Sequence, residues 1–297
     1  MAHGALVLAG GGLAGIAWET GVLLGIQDVE PEAAARIIGA PTALIGTSAG
    51  STVSAQLSTG TALDVLFERQ LHETPTEIYV EADFDAFMAS MAAAHSEATS
   101  PDDARRRIGT IAKDTKTVDR AVRRGTIEAR LSGMTWSDRD LRITAVDADT
   151  GVPVVFDRTS GISLVDAVEA SSAVPGIWPV VPLAGHRYID GGVRAMANAD
   201  LAVGFDPVLV LLPQPERTAT GYSIDPAELA TLAPSRVHVV YADAAAVAAF
   251  GTNPLDPGVR GPSALAGRDL GREIASQVAA FWTGQDRPTP RAASDVA

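Results

Sequence analysis

A serine and an aspartate stand out in this sequence because each lies beside glycines at a point where the chain must turn sharply. Segment 46–50 reads Gly-Thr-Ser-Ala-Gly with Ser48 at its centre, and Asp190 is followed by two glycines. A third motif holds consecutive glycines at Gly10, Gly11 and Gly12. A serine hydroxyl, a carboxylate base and adjacent amides that bind an oxyanion are the groups that acyl transfer through a serine needs. These residues are therefore candidate catalytic residues.

The segments around Ser48 are those that a nucleophile requires. Residues 43–45 are apolar and predict a short buried strand before the serine, and residues 51–57 predict a helix after it. A nucleophile between a strand and a helix lies on a strained turn that exposes its hydroxyl, and glycines at 46 and 50 remove Cβ atoms that would collide there. The helix N-terminus adds amides and a positive dipole end near the serine oxygen. A turn of small residues without chemistry remains an alternative for this motif alone.

The first glycine motif has a second interpretation. Residues 10–15 follow the apolar segment 5–9 and spell G-x-G-x-x-G, which is the dinucleotide-binding fingerprint. That fingerprint also needs an acidic residue at the end of the second strand to bind the ribose. The second predicted strand ends without one, because Asp28 and Glu30 both precede it. A dinucleotide-binding protein is kept as an alternative hypothesis, although it leaves Ser48 unexplained.

A histidine base is not expected. The five histidines are His3, His72, His95, His186 and His238. An α/β-hydrolase triad follows the chain order serine, acid, histidine, and only His238 follows Asp190. His238 alternates with valines in a predicted buried strand, whereas a triad histidine lies on a loop. We predict that His238 is a core or edge residue.

Composition limits the classes of function. The 297 residues are 46% hydrophobic and 20% charged, which predicts one globular domain over 1–284 with a flexible tail over 285–297. The net charge of -13 argues against general nucleic-acid binding, and the absence of cysteine excludes disulfides and a thiolate nucleophile. The N-terminus lacks the basic region of a signal peptide, and no apolar run reaches the length of a membrane-spanning helix. We expect a cytoplasmic protein, with any membrane contact peripheral.

Strands and helices alternate along much of the chain. Apolar runs at 5–9, 43–45, 208–212 and 237–241 predict buried strands, and 141–156 predicts a hairpin. This alternation predicts a parallel sheet that helices cover on both faces. Residues 62–131 predict a helical insertion.

Basic residues are concentrated in that insertion. One helix is predicted from the Ser-Pro start at 100–101, and basic side chains share one of its faces: Arg106, Lys113, Lys116, Arg120 and Arg124. The pattern is typical of a surface helix with a solvated basic face. It also suits a lid helix that meets anionic lipid. The apolar segment 84–94 and Trp178 suit either the core or an acyl channel.

The three motifs, in this order, resemble the patatin-like phospholipase family. The likeness covers about residues 4–200 and includes segments 167–180 and 188–193. It implies a three-layer α/β/α sandwich with a mainly parallel central sheet. It also implies a Ser48–Asp190 dyad without histidine, an oxyanion hole at Gly10–Gly12, and no metal or cofactor. Ala14 and Ala199 stand where the family often has a basic residue and a proline.

The resemblance leads to one main hypothesis and two alternatives. The main hypothesis is a serine lipid acyl hydrolase of the phospholipase, lysophospholipase or esterase type, which acts on lipid acyl esters through an acyl-enzyme. An acyl acceptor other than water would make it an acyltransferase by the same intermediate. The alternatives are a dinucleotide-binding, Rossmann-like protein and a non-catalytic lipid-binding member of the same fold.

Overall fold

A central sheet organises the chain. The computed structural model describes residues 3–72, 76–80, 84–218 and 221–285, and this part contains an eight-stranded sheet and a small two-stranded one. The strands are β1 (Ala5–Leu8), β2 (Ala43–Gly46), β3 (Leu141–Asp147), β4 (Pro153–Phe156), β5 (Val181–Leu183), β6 (His186–Asp190), β7 (Val208–Leu212), β8 (Arg217–Thr218), β9 (Gly221–Tyr222) and β10 (Val237–Tyr241). Strands β10, β7, β1, β2 and β3 lie side by side and run parallel, whereas β4, β5 and β6 add antiparallel pairs beyond them.

Helices cover the sheet and connect its strands. They are α1 (Gly12–Val29), α2 (Pro31–Ile37), α3 (Ala49–Ser58), α4 (Leu63–Leu71), α5 (Phe84–Ser96), α6 (Pro101–Asp114), α7 (Arg120–Leu131), α8 (Leu164–Ser171), α9 (Pro226–Ala230), α10 (Ala244–Phe250) and α11 (Arg260–Thr283). No helix in the described part of the chain combines the length and hydropathy that crossing a membrane requires.

Both faces of the sheet are buried, because alternate side chains of β1 belong to two different core clusters. Leu6 and Leu8 belong to one core cluster with residues of α1, α3, α8 and α11. Their neighbours Ala5 and Val7 belong to a second cluster with α9 and the segment around Ala199. Alternate side chains of a strand point to opposite faces, so the two clusters lie on opposite sides of the sheet. The predicted α/β fold, with a mainly parallel sheet between two helical layers, is confirmed.

The order of pairing along β3 positions the candidate site. β4 occupies one edge of β3, and both β2 and β6 lie along the other. β2 runs parallel to the first half of β3 and β6 runs antiparallel along the second half, so their carboxyl ends meet. Gly46 is level with Ile143 and Asp190 is level with Ala145. The two segments that carry Ser48 and Asp190 therefore converge.

The predicted insertion is helical, but its basic part is two helices and not one. α6 ends at Asp114 and α7 begins at Arg120, after the Asp119 side chain caps its N-terminus. The prediction of a single basic face over 105–124 was wrong, because residues 115–117 include two β-branched threonines and Thr115 is extended. α7 packs into the core against α8 and α3, where Ile127 and Leu131 are buried. α6 packs on the opposite face of the sheet.

The basic side chains of these helices pair with acids elsewhere in the chain. Lys113 lies 2.7 Å from Asp149, and Arg120 donates to Glu169 at 2.7 and 3.0 Å. Arg124 contacts Glu169 at 3.1 Å. Lys116 is exposed. Most of the basic charges on these helices are therefore neutralised by acidic partners, and the expected solvated basic face is not formed.

The structure differs from the sequence-based predictions at several other elements. α1 begins at Gly12, because the end of the glycine motif itself forms the first turn. The hairpin of β5 and β6 and the 24-residue α11 were missed. Met91 and Ala94 pack in a core cluster, whereas the side chains of 84–88 and the predicted tail from 286 onward lie outside the described residues.

Candidate active site

Ser48 lies on a strained turn between β2 and α3. Its backbone has φ 51° and ψ −110°, a region that non-glycine residues rarely occupy. A Cβ on Gly50 would lie 2.0 Å from the Leu8 carbonyl oxygen, and one on Gly46 would lie 2.6 Å from the Ser51 Cα. Glycine is therefore required at both positions. The Ser48 side chain makes no capping hydrogen bond to α3, which leaves its hydroxyl available for chemistry.

A second serine supports this turn from α8. The Ser48 N–H donates to the Ser171 Oγ at 2.9 Å, and both residues are buried. The Ser48 carbonyl accepts from the Ser51 hydroxyl at 2.6 Å. The Ser48 backbone is thus bonded on both sides of the strained residue. Ser171 was not predicted as a site residue, because it lies 123 positions away in sequence.

Asp190 ends β6 and faces Ser48. Its side chain accepts a hydrogen bond from the Gly192 N–H at 2.7 Å, and the Ser48 hydroxyl is near enough to lower the pKa of its carboxyl group. Burial raises the pKa of Asp190 to about 6, although the Ser48 hydroxyl, the Gly192 amide and the positive charge of Arg123 each lower it. Asp190 as a whole residue is only 5% exposed. It is ionised at neutral pH and is a stronger base than an ordinary aspartate.

The glycine loop lies against the serine turn. A Cβ on Gly10 would lie 3.6 Å from the Ser48 Cβ. The Gly10 N–H donates to the Met196 carbonyl oxygen at 2.9 Å, so it is already engaged. The amides of Gly11 and Gly12 have no backbone acceptor among the described residues, and Gly12 adopts φ 65°. Of the three predicted oxyanion donors, these two amides are free to bind an anion.

A buried polar network lies beneath the dyad. Asn198, itself in the left-handed conformation at φ 52°, donates to the Ala195 carbonyl at 2.7 Å and to the Thr47 hydroxyl at 3.0 Å. Thr144 on β3 donates to the same Thr47 hydroxyl at 2.9 Å. The network joins the residue before the nucleophile to the segment after Asp190, so it fixes one relative to the other.

Ser48 lines a narrow cleft that residues of the helical insertion partly enclose. Its lining combines apolar side chains with a few buried charges, among them Ile16, Val174, Trp178, Leu255, Glu77, Arg123 and Arg130. Glu77 and Arg130 form a two-bond ion pair at 2.7 and 2.9 Å. Burial raises the pKa of Glu77, but Arg130, with Arg260 and Arg123, outweighs it and leaves that pKa below its ordinary value.

None of the five histidines, all of which are described, lines this cleft. His238 lies on β10, the edge strand of the sheet, three strands from β2 and hence about 14 Å away. The prediction that it is a core or edge histidine is confirmed. The described residues also contain no group of three or more His, Asp or Glu side chains arranged to hold a metal ion.

The family match decides between the hypotheses. The model of patatin-like phospholipases matches residues 6–203, which is more than half of the chain and includes the glycine loop, Ser48 and Asp190. This chain belongs to the patatin-like phospholipase family. Membership makes it a hydrolase of lipid esters. The match also assigns the glycine loop to a hydrolase family, which removes the reason for the dinucleotide-binding alternative.

Two solved structures are similar to this chain at low identity. VipD from Legionella pneumophila has 13% sequence identity and a TM-score of 0.46, over 93% of this chain and 67% of VipD. The type III effector protein ExoU has 17% identity and a TM-score of 0.41, over 93% of this chain and 53% of ExoU. The chain therefore spans about half the length of ExoU. No curated protein matches the chain.

Proposed function

We propose that this family member hydrolyses lipid acyl esters with Ser48 as nucleophile and Asp190 as its only general base. The observation that carries the proposal is the contact between a strained, uncapped serine hydroxyl and a buried carboxylate whose pKa is raised. A serine hydroxyl is a weak nucleophile until a neighbouring base accepts its proton. Asp190 is within hydrogen-bonding reach of that proton. Its raised pKa reduces the difference in pKa between the carboxyl group and the serine hydroxyl, which favours proton transfer.

The reaction proceeds in two halves. In the first, the Ser48 Oγ bonds to the ester carbonyl carbon as its proton passes to Asp190, and the amides of Gly11 and Gly12 bind the resulting oxyanion. The C–O bond to the alcohol breaks, and Asp190 returns its proton to the departing alkoxide. In the second half, water attacks the acyl-enzyme, Asp190 accepts a proton from it, and the fatty acid leaves as Ser48 regains its hydrogen.

Gly10 has a different role in this proposal from the one first predicted. Its amide is bonded to the Met196 carbonyl, so it anchors the loop while the next two amides bind the anion. The Ala49 N–H at the start of α3 also lacks a backbone acceptor among the described residues and is a further candidate donor. Oxyanion binding by amides at a helix N-terminus follows from their alignment with the helix dipole.

The test is hydrolysis of lauroyl esters by the wild type and by Ser48→Ala and Asp190→Asn. We expect each variant to lose roughly 10³-fold or more in kcat with a normal unfolding transition, because either change removes half of the dyad. Ser58→Ala is the matched control, since its hydroxyl bonds the Ala55 carbonyl within α3 and does not line the cleft. A non-catalytic lipid-binding protein would instead bind lipid without turnover and would be unaffected by Ser48→Ala.

A further inference from the structure

Arg123 is a buried cation in the cleft that takes no direct part in the proposed chemistry, although its charge lowers the pKa of Asp190. It comes from α7 in the helical insertion, is 4% exposed, and lines the same cleft as Ser48. Its guanidinium lies 4.0 Å from the centroid of the Trp178 ring. It donates one long hydrogen bond, of 3.4 Å, to the Ser172 hydroxyl. A guanidinium has five N–H donors, and this is the only acceptor that Arg123 has among the described residues.

The other arginines of α7 differ because each has a carboxylate partner. Arg120 and Arg124 both contact Glu169. Arg130 forms the two-bond pair with Glu77. Glu77 and Glu169 are therefore already bound by its neighbours, and Asp190, the third acid whose charge acts on Arg123, accepts a hydrogen bond from the Gly192 amide.

Arg123 nevertheless keeps its charge. Burial, and then repulsion from Arg130, lower the pKa of Arg123 to about 9, so the side chain stays cationic at neutral pH. A buried charge without a directly bonded counter-ion is costly, and an anion in the cleft would offset that cost. Stacking on Trp178 holds the planar guanidinium in one orientation, which prepares it to bind a planar or tetrahedral oxyanion.

We propose that Arg123, held by Trp178 and Ser172, forms an anion subsite beside Ser48 that binds a singly charged oxyanionic group of the molecule in the cleft. This inference rests on the proposed function of the site. Two sources carry that chemistry. One is a phosphodiester next to the scissile ester of the substrate, and the other is the carboxylate of the fatty acid that hydrolysis releases.

A matched pair of substrates tests the first source. 1-Lauroyl-glycerophosphocholine and 1-lauroyl-glycerol share an acyl chain and differ in the phosphodiester. If the headgroup occupies the subsite, wild-type kcat/KM favours the phosphodiester substrate by roughly 10- to 100-fold, the range for a hydrogen bond to a charged group. Arg123→Met abolishes that preference, so that the two kcat/KM values become equal within about threefold. Arg124→Met, on the same helix but outside the cleft lining, keeps the preference.

Product inhibition tests the second source. Laurate and dodecanol compete with lauroyl-glycerol, and only laurate carries a carboxylate. If the product occupies the subsite, laurate inhibits the wild type at least tenfold more strongly than dodecanol does, and Arg123→Met removes that difference. This comparison in the wild type does not depend on the folding of a variant. Arg123→Lys, which keeps the charge and loses the planar fork, is expected to give intermediate values in whichever comparison responds.

The outcomes separate the subsite from the function on which it rests. If the substrate preference or the product inhibition depends on Arg123, the subsite is supported, and the comparison that responds identifies the anion that occupies it. Equal ratios in the wild type and Arg123→Met in both comparisons overturn it. A wild type that hydrolyses neither ester contradicts the proposed function. In that case calorimetric binding of laurate and of glycerophosphocholine, in wild type and Arg123→Met, decides the subsite without turnover.

Discussion

Replacing Asp190 with asparagine is expected to stabilise the fold while it removes the activity. Burial raises the pKa of Asp190 from 3.8 to about 6, which means that the folded protein disfavours the ionised carboxylate. The folded state therefore binds the Asp190 proton more tightly than the unfolded chain does. Stability from this group is present at low pH and is lost as the pH rises from about 4 to about 6. Asparagine has no charge to bury and keeps an oxygen for the Gly192 N–H.

The magnitude follows from the pKa difference. A shift of about two units corresponds to about 3 kcal/mol, since one unit is worth about 1.4 kcal/mol. At pH 8 we expect Asp190→Asn to raise the free energy of unfolding by up to that amount. Large domains gain about 2 °C or more in Tm per kcal/mol, so the rise in Tm is roughly 6 °C. At pH 4 the difference falls below about 1 kcal/mol, because Asp190 is then protonated in the folded wild type and about half protonated in the unfolded chain.

Calorimetric and urea unfolding from pH 4 to pH 8 measure the difference in unfolding free energy between the wild type and Asp190→Asn. Asp147→Asn is the matched control, for which we expect a change of the opposite sign. Asp147 lies on the neighbouring strand β3. Burial raises its pKa, but hydrogen bonds from the Thr150 amide, His186 and the Asp149 amide outweigh burial and lower it. Asp147→Asn should therefore destabilise the protein at pH 8. A destabilised Asp190→Asn at pH 8, or a gain that is the same at pH 4 and pH 8, would refute the reasoning.

Two further substitutions test how the nucleophile is held. Gly50→Ala adds a methyl group 2.0 Å from a backbone carbonyl of β1, so we expect it to lower the free energy of unfolding by at least about 3 kcal/mol. Gly125→Ala is the control in α7, where the added methyl group meets nothing within 4 Å and should raise the free energy of unfolding by about 1 kcal/mol. Similar unfolding midpoints for the two variants would contradict the tight turn. Ser171→Ala leaves the buried Ser48 N–H without an acceptor, so we expect a loss of about 1–3 kcal/mol and a fall in kcat larger than any change in KM. Ser58→Ala, which removes a bond within α3, should lower stability without that specific loss of kcat.

The candidate nucleophile and base are predictable from sequence because their surroundings are local. The glycines two positions before and after Ser48 indicate a tight turn, because a larger residue would not fit at either position. The strand before this turn and the helix after it are apolar enough to be recognised in the sequence. The burial of β1 on both faces follows from its uninterrupted run of apolar residues. The convergence of Ser48 and Asp190 is not local, since it arises where β2 and β6 meet along one edge of β3. The resemblance to a family supplied that relation at the sequence level.

Features that depend on distant partners could not be predicted. A local count of charges shows an excess of basic residues in the insertion but not that Asp149 and Glu169 neutralise it. Ser171 bonds the Ser48 amide across 123 residues, and nothing in its own segment indicates that contact. Arg123 resembles its helical neighbours in sequence and differs only in lacking a carboxylate partner. The spacing of the glycines likewise does not show that Met196 engages the Gly10 amide.

The most direct test of the dyad is the rate at which a fluorophosphonate labels Ser48 as a function of pH. Labelling requires a serine activated by a base, and peptide mass spectrometry identifies the modified residue. The account predicts modification at Ser48, a rate that rises with pH around a midpoint near 6 as Asp190 ionises, and loss of labelling in Asp190→Asn at every pH. Labelling at another serine, or labelling of Ser48 that persists unchanged in Asp190→Asn, would contradict it.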